Sequence, residues 1–303
     1  MSTQSDADTS PSRPSPPIQV ALHGVAETLL ISLSARSADA RKPKPILGVQ
    51  HAAGVVKCLD YDSSKYVMPE TDMSAVALRA KLFDTWTASF LSSHPIATIL
   101  HLGCGLDSRV QRLNWGCQVH WIDVDLPDAI ALRRKVLPTS YTDRDYQLIG
   151  VDIREDAWLA TINPDRPVAV VMEGFLSYLS LEEVSSLLTR LASHFKEGEM
   201  MFDGISSLVL SAGDRARPYA VRRTGADFQS AVDDPGLLER TYDGLSLLET
   251  IRFVEAPGIE KLPLGARFRM YILSWIPGLR DASRLFRFGF KNKISPDKGV
   301  ETS

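Results

Sequence analysis

The residues with the most chemical content fall in four short stretches. The first is His101-Leu102-Gly103-Cys104-Gly105-Leu106-Asp107-Ser108, where two glycines follow an apolar run; glycines there let a ligand approach the backbone closely. About 20 residues on, Asp123 and Asp125 end a second apolar run, where a carboxylate can accept both hydroxyls of a ribose. Asp125 is favoured for that grip, with Asp123 close behind, since both share one pleat face. Asp152 closes YQLIGVD and Glu173 closes VAVVME, so four strand ends bearing glycines or carboxylates converge on one sheet edge. Ser108 stands where a dinucleotide fingerprint has its third glycine, which with Glu173 argues against NAD. No G-x-x-x-x-G-K-[ST] segment occurs, so nucleotide hydrolysis is not indicated. A crevice rich in carboxylates and poor in phosphate cradles suits a nucleoside carrying a cation. A sulfonium with an α-amino group is such a ligand, which makes S-adenosyl-L-methionine the favoured cofactor.

Methyl transfer from a sulfonium is an in-line displacement in which positioning is the main task. A carboxylic acid acceptor, with a pKa near ~4, is already ionised at neutral pH, whereas a phenol near ~10 needs a base. Of six histidines, His101 borders the glycine loop and is the best base candidate, while His94, His120 and His194 read as structural. The weak inventory of bases tilts the reading toward carboxylate methylation. A carboxylate acceptor wants an arginine fork, and DRARPYAVRR offers Arg215, Arg217, Arg222 and Arg223 around Tyr219. Tyr178, shortly after Glu173, is expected to point into the same crevice. The catalytic candidates are therefore Tyr178, His101, Arg215 and Arg217. No serine or cysteine sits in a nucleophile-elbow context.

These residues need a scaffold. Apolar runs near 97–102, 119–125, 146–152, 168–173 and 199–205 alternate with helical segments, which predicts an α/β fold with a doubly wound, mostly parallel sheet. Before them, residues 18–40 and 73–91 show helical spacing and form an N-terminal helical cap region over 18–92. Residues 93–205 form the cofactor-binding core, 206–250 a polar, Arg-rich lid insert, and 251–303 the C-terminal part of the core. In RFRMYILSWIPGLRDASRLFRFGF, aromatics mix with arginines as in a membrane-surface helix, but Pro277-Gly278 interrupts the run and its apolar positions are expected in the core. Residues 1–17, with four prolines and five serines, read as a disordered tail.

The chain has 303 residues, 44% of them apolar, enough for one large domain with a sizeable core. A formal net charge of -3 gives no drive toward a polyanion, so nucleic acid is not an expected partner. Cys58, Cys104 and Cys117 form neither a disulfide framework nor a metal-ligand spacing. With no secretory leader and no long apolar run, a cytoplasmic protein without membrane partners is expected, as a possible homo-oligomer.

HLGCGLDSR, IDVDLPDAIALRRKVL, GVDIREDAWLATI and VMEGFLSYLSLEEV, in that order, resemble the leucine carboxyl methyltransferase superfamily. RFRMYILSWIPGLRDASRLFRF is similar to the C-terminal end of its branch named after the tetracenomycin polyketide O-methyltransferase. The resemblance covers roughly residues 60–290. It implies a class I methyltransferase-like fold with a helical cap over the cofactor. It implies that Gly103 and Gly105 face the methionine part of the cofactor, that Asp125 holds the ribose, and that Asp152 and Ile153 flank the adenine. Glu173 would meet the amino group, Arg79 the carboxylate, and Lys65 or Tyr66 the closing entry segment. Ser108, Asp123 and His101 depart mildly from the family's usual residues. The expected activity is O-methylation of a carboxylate on a small aromatic or polyketide-like molecule. The alternatives are a phenolic O-methyltransferase and a methyltransferase for a protein's C-terminal leucine carboxylate.

Overall fold

Val168–Met172 shows how the sheet is specified: five consecutive apolar residues, all buried, can be satisfied only where both faces of a strand are covered. In the computed structural model, which describes residues 16–137, 145–242 and 244–292, this segment is a central strand of a seven-stranded sheet. The strands are β1 (Ala97–Leu102), β2 (Val119–Asp125), β3 (Tyr146–Gly150), β4 (Val168–Met172), β5 (Glu197–Ile205), β6 (Leu245–Arg252) and β7 (Ser283–Lys291). They lie in the order β3-β2-β1-β4-β5-β7-β6. Strands β1 to β5 are parallel, and β7 runs antiparallel to both β5 and β6.

Period-two alternation sends Leu100, Val170 and Met200 to one face, against Leu187, Leu188 and Leu191 of the helix Leu181–His194. That helix starts with a complete capping box between Ser180 and Glu183. Ile99, Val171 and Met201 face the other way, against Leu78, Leu82, Phe83, Trp86 and Phe90 of the long helix Glu70–Ser93. A third cluster joins Leu30, Leu33, Val55 and Tyr66 to Leu106, Leu132 and Ala220, seating the N-terminal helices Leu29–Ala40 and Gln50–Cys58 at the carboxyl edge of the sheet.

Several expectations shift. The helix expected from Ile18 starts only at Leu29: Ile18–Gln19 pairs in parallel with Leu59–Asp60, and Gly24 takes a left-handed φ of 60° before the helix. The expected lid boundary at 250 cuts through β6, whose edge position needs few apolar residues and so hides from a hydrophobicity reading. The C-terminal aromatic run divides. Its second half is β7, with Leu285, Phe286, Phe288 and Phe290 in the core. Its first half, the helix Leu264–Trp275, buries Ala266 and Met270 but leaves Phe268 66% and Trp275 72% exposed, contrary to the core expectation. Of the expected tail, residues 1–15 lie outside the described residues, as do 293–303 of the C-terminal segment.

Candidate functional site

Strand order reverses between β1, which leads outward to β2 and β3, and β4, which leads the other way to β5. The loops that leave β1 and β4 therefore diverge and open a crevice. A cavity of about 250 Å³ occupies it. Its walls are the loop 103–107, Asp125, the segment 151–154, the segment 173–179, and Thr28, Leu29, Ser32 and Arg36 from the N-terminal helical region.

The glycine loop is fixed by sterics. Gly103 has φ 66°, and a Cβ there would lie 2.5 Å from Cδ2 of Phe175; Gly105 has φ 49°, and a Cβ there would lie 3.0 Å from Cβ of Leu29. Both positions are in the region where side chains are strained, so only glycine holds this path and leaves the cavity open. The Gly105 amide donates to Asp125 Oδ2 at 2.6 Å, and the Leu126 amide to Oδ1 at 2.7 Å. Burial raises the Asp125 carboxyl pKa, and these two amides only partly offset it. Each oxygen keeps a lone pair for a ligand hydroxyl. Ile153 is buried in the wall, and Asp152 at the rim chelates Arg154, which holds its carboxyl below the usual range.

Asp123, two residues before Asp125, is not in the cavity. It is fully buried and takes hydrogen bonds from Arg133, Trp121 and Tyr146, with His101 3.3 Å away. Burial would raise its pKa, but the Arg133 guanidinium and the hydrogen bonds pull it to about 2. The two aspartates therefore have separate roles: one braces the strand, the other faces the cavity.

Glu173 lies at the centre of a buried charge cluster. Arg36 Nη2 is 3.1 Å and Arg79 Nε 3.3 Å from its Oε1, and Arg109 Nη2 is 2.6 Å from its Oε2. Arg36 also reaches Asp107 at 3.1 Å, Arg79 reaches Asp203 at 3.0 Å, and Arg109 and Arg112 both hold Asp84. Burial opposes ionisation of Glu173, yet Arg36, Arg109 and Arg79 outweigh it and keep the carboxyl well below its ordinary value. Arg79 does not line the cavity. It packs beneath Gly174, where a Cβ would meet its Nη2 at 2.8 Å. Arg36, Arg109, Asp84 and Asp203 escaped the sequence reading. Arg36 had a signal: it continues the stripe Leu29, Leu33, Arg36, a charge on an apolar helix face.

The catalytic candidates separate. His101 borders the cavity, but both its ring nitrogens are engaged. Arg109 Nη1, which can only donate, lies 3.1 Å from Nε2, so the neutral ring carries its proton on Nδ1, toward Asp123. No lone pair is left to accept a proton from an acceptor molecule. Tyr178 lines the cavity and packs against Phe228, with ring centroids 5.5 Å apart; burial raises its phenol pKa, so it is a donor at neutral pH. Arg215 is exposed and outside the cavity. Arg217 is held by Asp214, Asp227 and the Ala226 carbonyl. Neither forms a fork at the cavity: Arg215, Arg222 and Arg223 face solvent, and Arg217, between two short helices, is spent on its own ion pairs. Lys65 Nζ at 2.6 Å and Tyr66 Oη at 2.5 Å both grip Glu27, which ties the segment 63–66 to the turn Ala26–Thr28 in the cavity wall.

Strand order, glycine turn and a carboxylate facing the crevice define a class I methyltransferase-like fold, and the solved structures agree: a DUF574 family protein from Streptomyces avermitilis superposes with a TM-score of 0.53 at 14% identity, over 86% of this chain and 97% of its own. The leucine carboxyl methyltransferase family model matches residues 52–192. The tetracenomycin polyketide synthesis O-methyltransferase TcmP of Streptomyces glaucescens is 39% identical over 89% of this chain and 98% of its own length. The S-adenosyl-L-methionine-dependent methyltransferase dpfgK of Gibberella zeae is 39% identical over 76% of this chain and 83% of its own. The chain belongs to the leucine carboxyl methyltransferase family and is an S-adenosylmethionine-dependent methyltransferase. No helix among the described residues is long and apolar enough to cross a membrane.

Proposed function

We propose that this methyltransferase esterifies a carboxylate on a small aromatic or polyketide-like molecule. The observation that carries the reading is the state of His101: both ring nitrogens are taken by Asp123 and Arg109, so the side chain best placed as a base has no capacity left. Tyr178 is protonated at neutral pH and Glu173 is ion-paired, so the cavity wall suits an acceptor that arrives ionised. The relative TcmP, an O-methyltransferase of polyketide synthesis, supports the acceptor class.

In this reading Asp125 accepts the ribose hydroxyls, Asp152 and Ile153 flank the adenine, and Gly103 and Gly105 leave room for the methionine chain. Glu173 faces the α-ammonium group. When bound, S-adenosylmethionine supplies an electrophilic methyl group on sulfur. The protein's work is to hold the acceptor oxygen near ~3 Å from that methyl along the sulfur–carbon axis. Tyr178 donates a hydrogen bond at the acceptor end of the cavity, while the clasp of Glu27, Lys65 and Tyr66 shuts the wall against water.

The test is an assay with methyl-deuterated S-adenosylmethionine against a mixed panel of aromatic acids and phenols, with mild alkaline treatment of the labelled product. Label released by alkali is the expected result and identifies an ester. Label that survives is an ether and overturns the carboxylate reading.

A further inference from the structure

One face of the helix Leu264–Trp275 is spent on the core: Ala266 and Met270 are buried, and Leu273 packs beside them. The opposite face is as apolar and lies in water. Leu264 is 78% exposed, Phe268 66%, Tyr271 60% and Trp275 72%. Their spacing of four, three and four residues holds them in one stripe along the helix, the spacing of a two-helix seam. Tyr271 and Trp275 meet edge to face with ring centroids 6.0 Å apart, so part of the stripe is already ordered. With Ile272 and Ile276 exposed beside it, and aromatic side chains of roughly 150–250 Å² each, the stripe leaves on the order of 700 Å² of apolar surface in water. That exceeds the ~300–600 Å² of the largest patch on a typical monomer.

The spacing also reads the same in both directions. A second copy laid antiparallel, about a two-fold axis at the helix midpoint, sets Leu264 against the second copy's Trp275 and Phe268 against the second copy's Tyr271. A two-fold contact demands such self-complementarity. The flanks agree: the same reversal sets Arg267 against the second copy's Ser274 and Gly265 against the second copy's Ile272, so no like charges meet across the helix pair. Gly265 has open space where a side chain would stand, which lets the two helices approach. Two such stripes facing each other remove roughly 1,400 Å² from water, within the ~1,200–2,000 Å² of a stable interface. An anionic lipid surface would call instead for a cluster of basic residues. Arg269 is paired with Asp72 at 2.8 Å, which leaves Arg267 as the one arginine of this helix without an ion pair among the described residues.

We propose that this face is a dimer interface, in which two copies of the chain pair through antiparallel helices Leu264–Trp275. The stripe lies outside the cavity lining, so the proposal does not depend on the identity of the methyl acceptor.

The experiment is sedimentation velocity of the full chain at ~50 μM, above the ~μM dissociation constant of the weaker interfaces of this size, and a dimer is expected. Phe268→Glu and Trp275→Glu each place a charge in the seam on an already exposed face. Each is expected to be monomeric at the same concentration, with unchanged circular dichroism and cofactor affinity. The pairing is read by disulfide capture in Cys117→Ser chains, which removes the exposed cysteine. Leu264→Cys and Trp275→Cys chains, mixed and oxidised in air, are expected to join as a covalent dimer. Neither joins alone, because like positions then lie about 16 Å apart along the helix pair, beyond the ~7 Å that a disulfide can span. Parent protein that stays monomeric, or a Phe268→Glu protein that stays dimeric, overturns the proposal. A monomeric parent that co-sediments with vesicles of equal parts phosphatidylcholine and phosphatidylserine overturns it in favour of a lipid surface. Linkage of Leu264→Cys chains to one another overturns the antiparallel arrangement.

Discussion

Arg109 Nη2 lies 2.6 Å from Glu173 Oε2 while its Nε lies 2.9 Å from Asp84 Oδ1, so one fully buried guanidinium joins the cavity to the long helix Glu70–Ser93. With its Nη1 on His101, Arg109 ties together the helix, strand β1 and the end of β4. Removing it would take from Glu173 its shortest ion pair and from Asp84 one of its two guanidinium partners, in a buried cluster. Arg109→Met is expected to lower the unfolding free energy by about 3–5 kcal/mol, read from the denaturant midpoint. A midpoint within experimental error of the parent's would show that the cluster relaxes around the loss and does not organise the site.

Asp125 tests the nucleoside end. Asp125→Asn preserves shape but removes the charge that would strengthen two hydroxyl contacts, so cofactor affinity is expected to fall by about 10- to 100-fold. Titration calorimetry reads this directly. Unchanged affinity, with a fold intact by circular dichroism, would move the ribose elsewhere.

Two glycines separate cavity effects from fold effects. Gly103→Ala places a methyl 2.5 Å from Phe175 at φ 66°, so both stability and cofactor affinity are expected to fall. Gly198→Ala places one 2.2 Å from the Val168 carbonyl between β4 and β5, remote from the cavity, so stability alone falls. If Gly198→Ala also weakened cofactor binding in the folded fraction, the sheet would be transmitting strain to the crevice.

Acid should act in two stages. Asp123 titrates at about 2 in the folded protein against ~4 when unfolded, and Glu173 and Asp107 are lowered as well. A lowered carboxylate pKa means stabilisation fully present above ~4 that is lost as pH falls toward 2, with Asp123 alone worth on the order of 2 kcal/mol. Asp125 and Asp203 are raised and carry the opposite sign, so their ionised forms are disfavoured in the fold and protonation relieves that. With Asp125 holding the ribose as proposed, cofactor affinity is therefore expected to drop at a higher pH than the fold melts. Affinity and melting that fell together over one pH range would contradict this.

The parallel core was legible because buried strands leave runs such as VAVVM bounded by turn signals, and the glycine loop was legible because its conformation excludes other residues. Asp125 and Asp123 look alike in the sequence because spacing two puts them on one face; only burial separates the cavity-lining carboxylate from the brace. Edge strand β6 has mixed polarity, so its first six residues, 245–250, read as part of the lid. The aromatic helix Leu264–Trp275 carries a core-like composition on its solvent side, which composition cannot reveal. The charge cluster was hidden for another reason: Arg36, Asp84, Arg109 and Asp203 come from four separate elements, and pairing at that sequence distance leaves no local mark.

His101 provides the sharpest division between the two chemistries. If it were a general base, replacing it would lower kcat by about 100-fold or more and flatten the pH profile on its acidic side. As a link between Asp123 and Arg109 it is structural. His101→Gln, with an amide that can both donate and accept, is then expected to leave kcat within about 3-fold while lowering stability by about 1–3 kcal/mol. The measurement is kcat on an aromatic acid beside thermal denaturation of the same preparation. A large fall in kcat without loss of stability would return the imidazole to the chemistry and make a phenol the better acceptor.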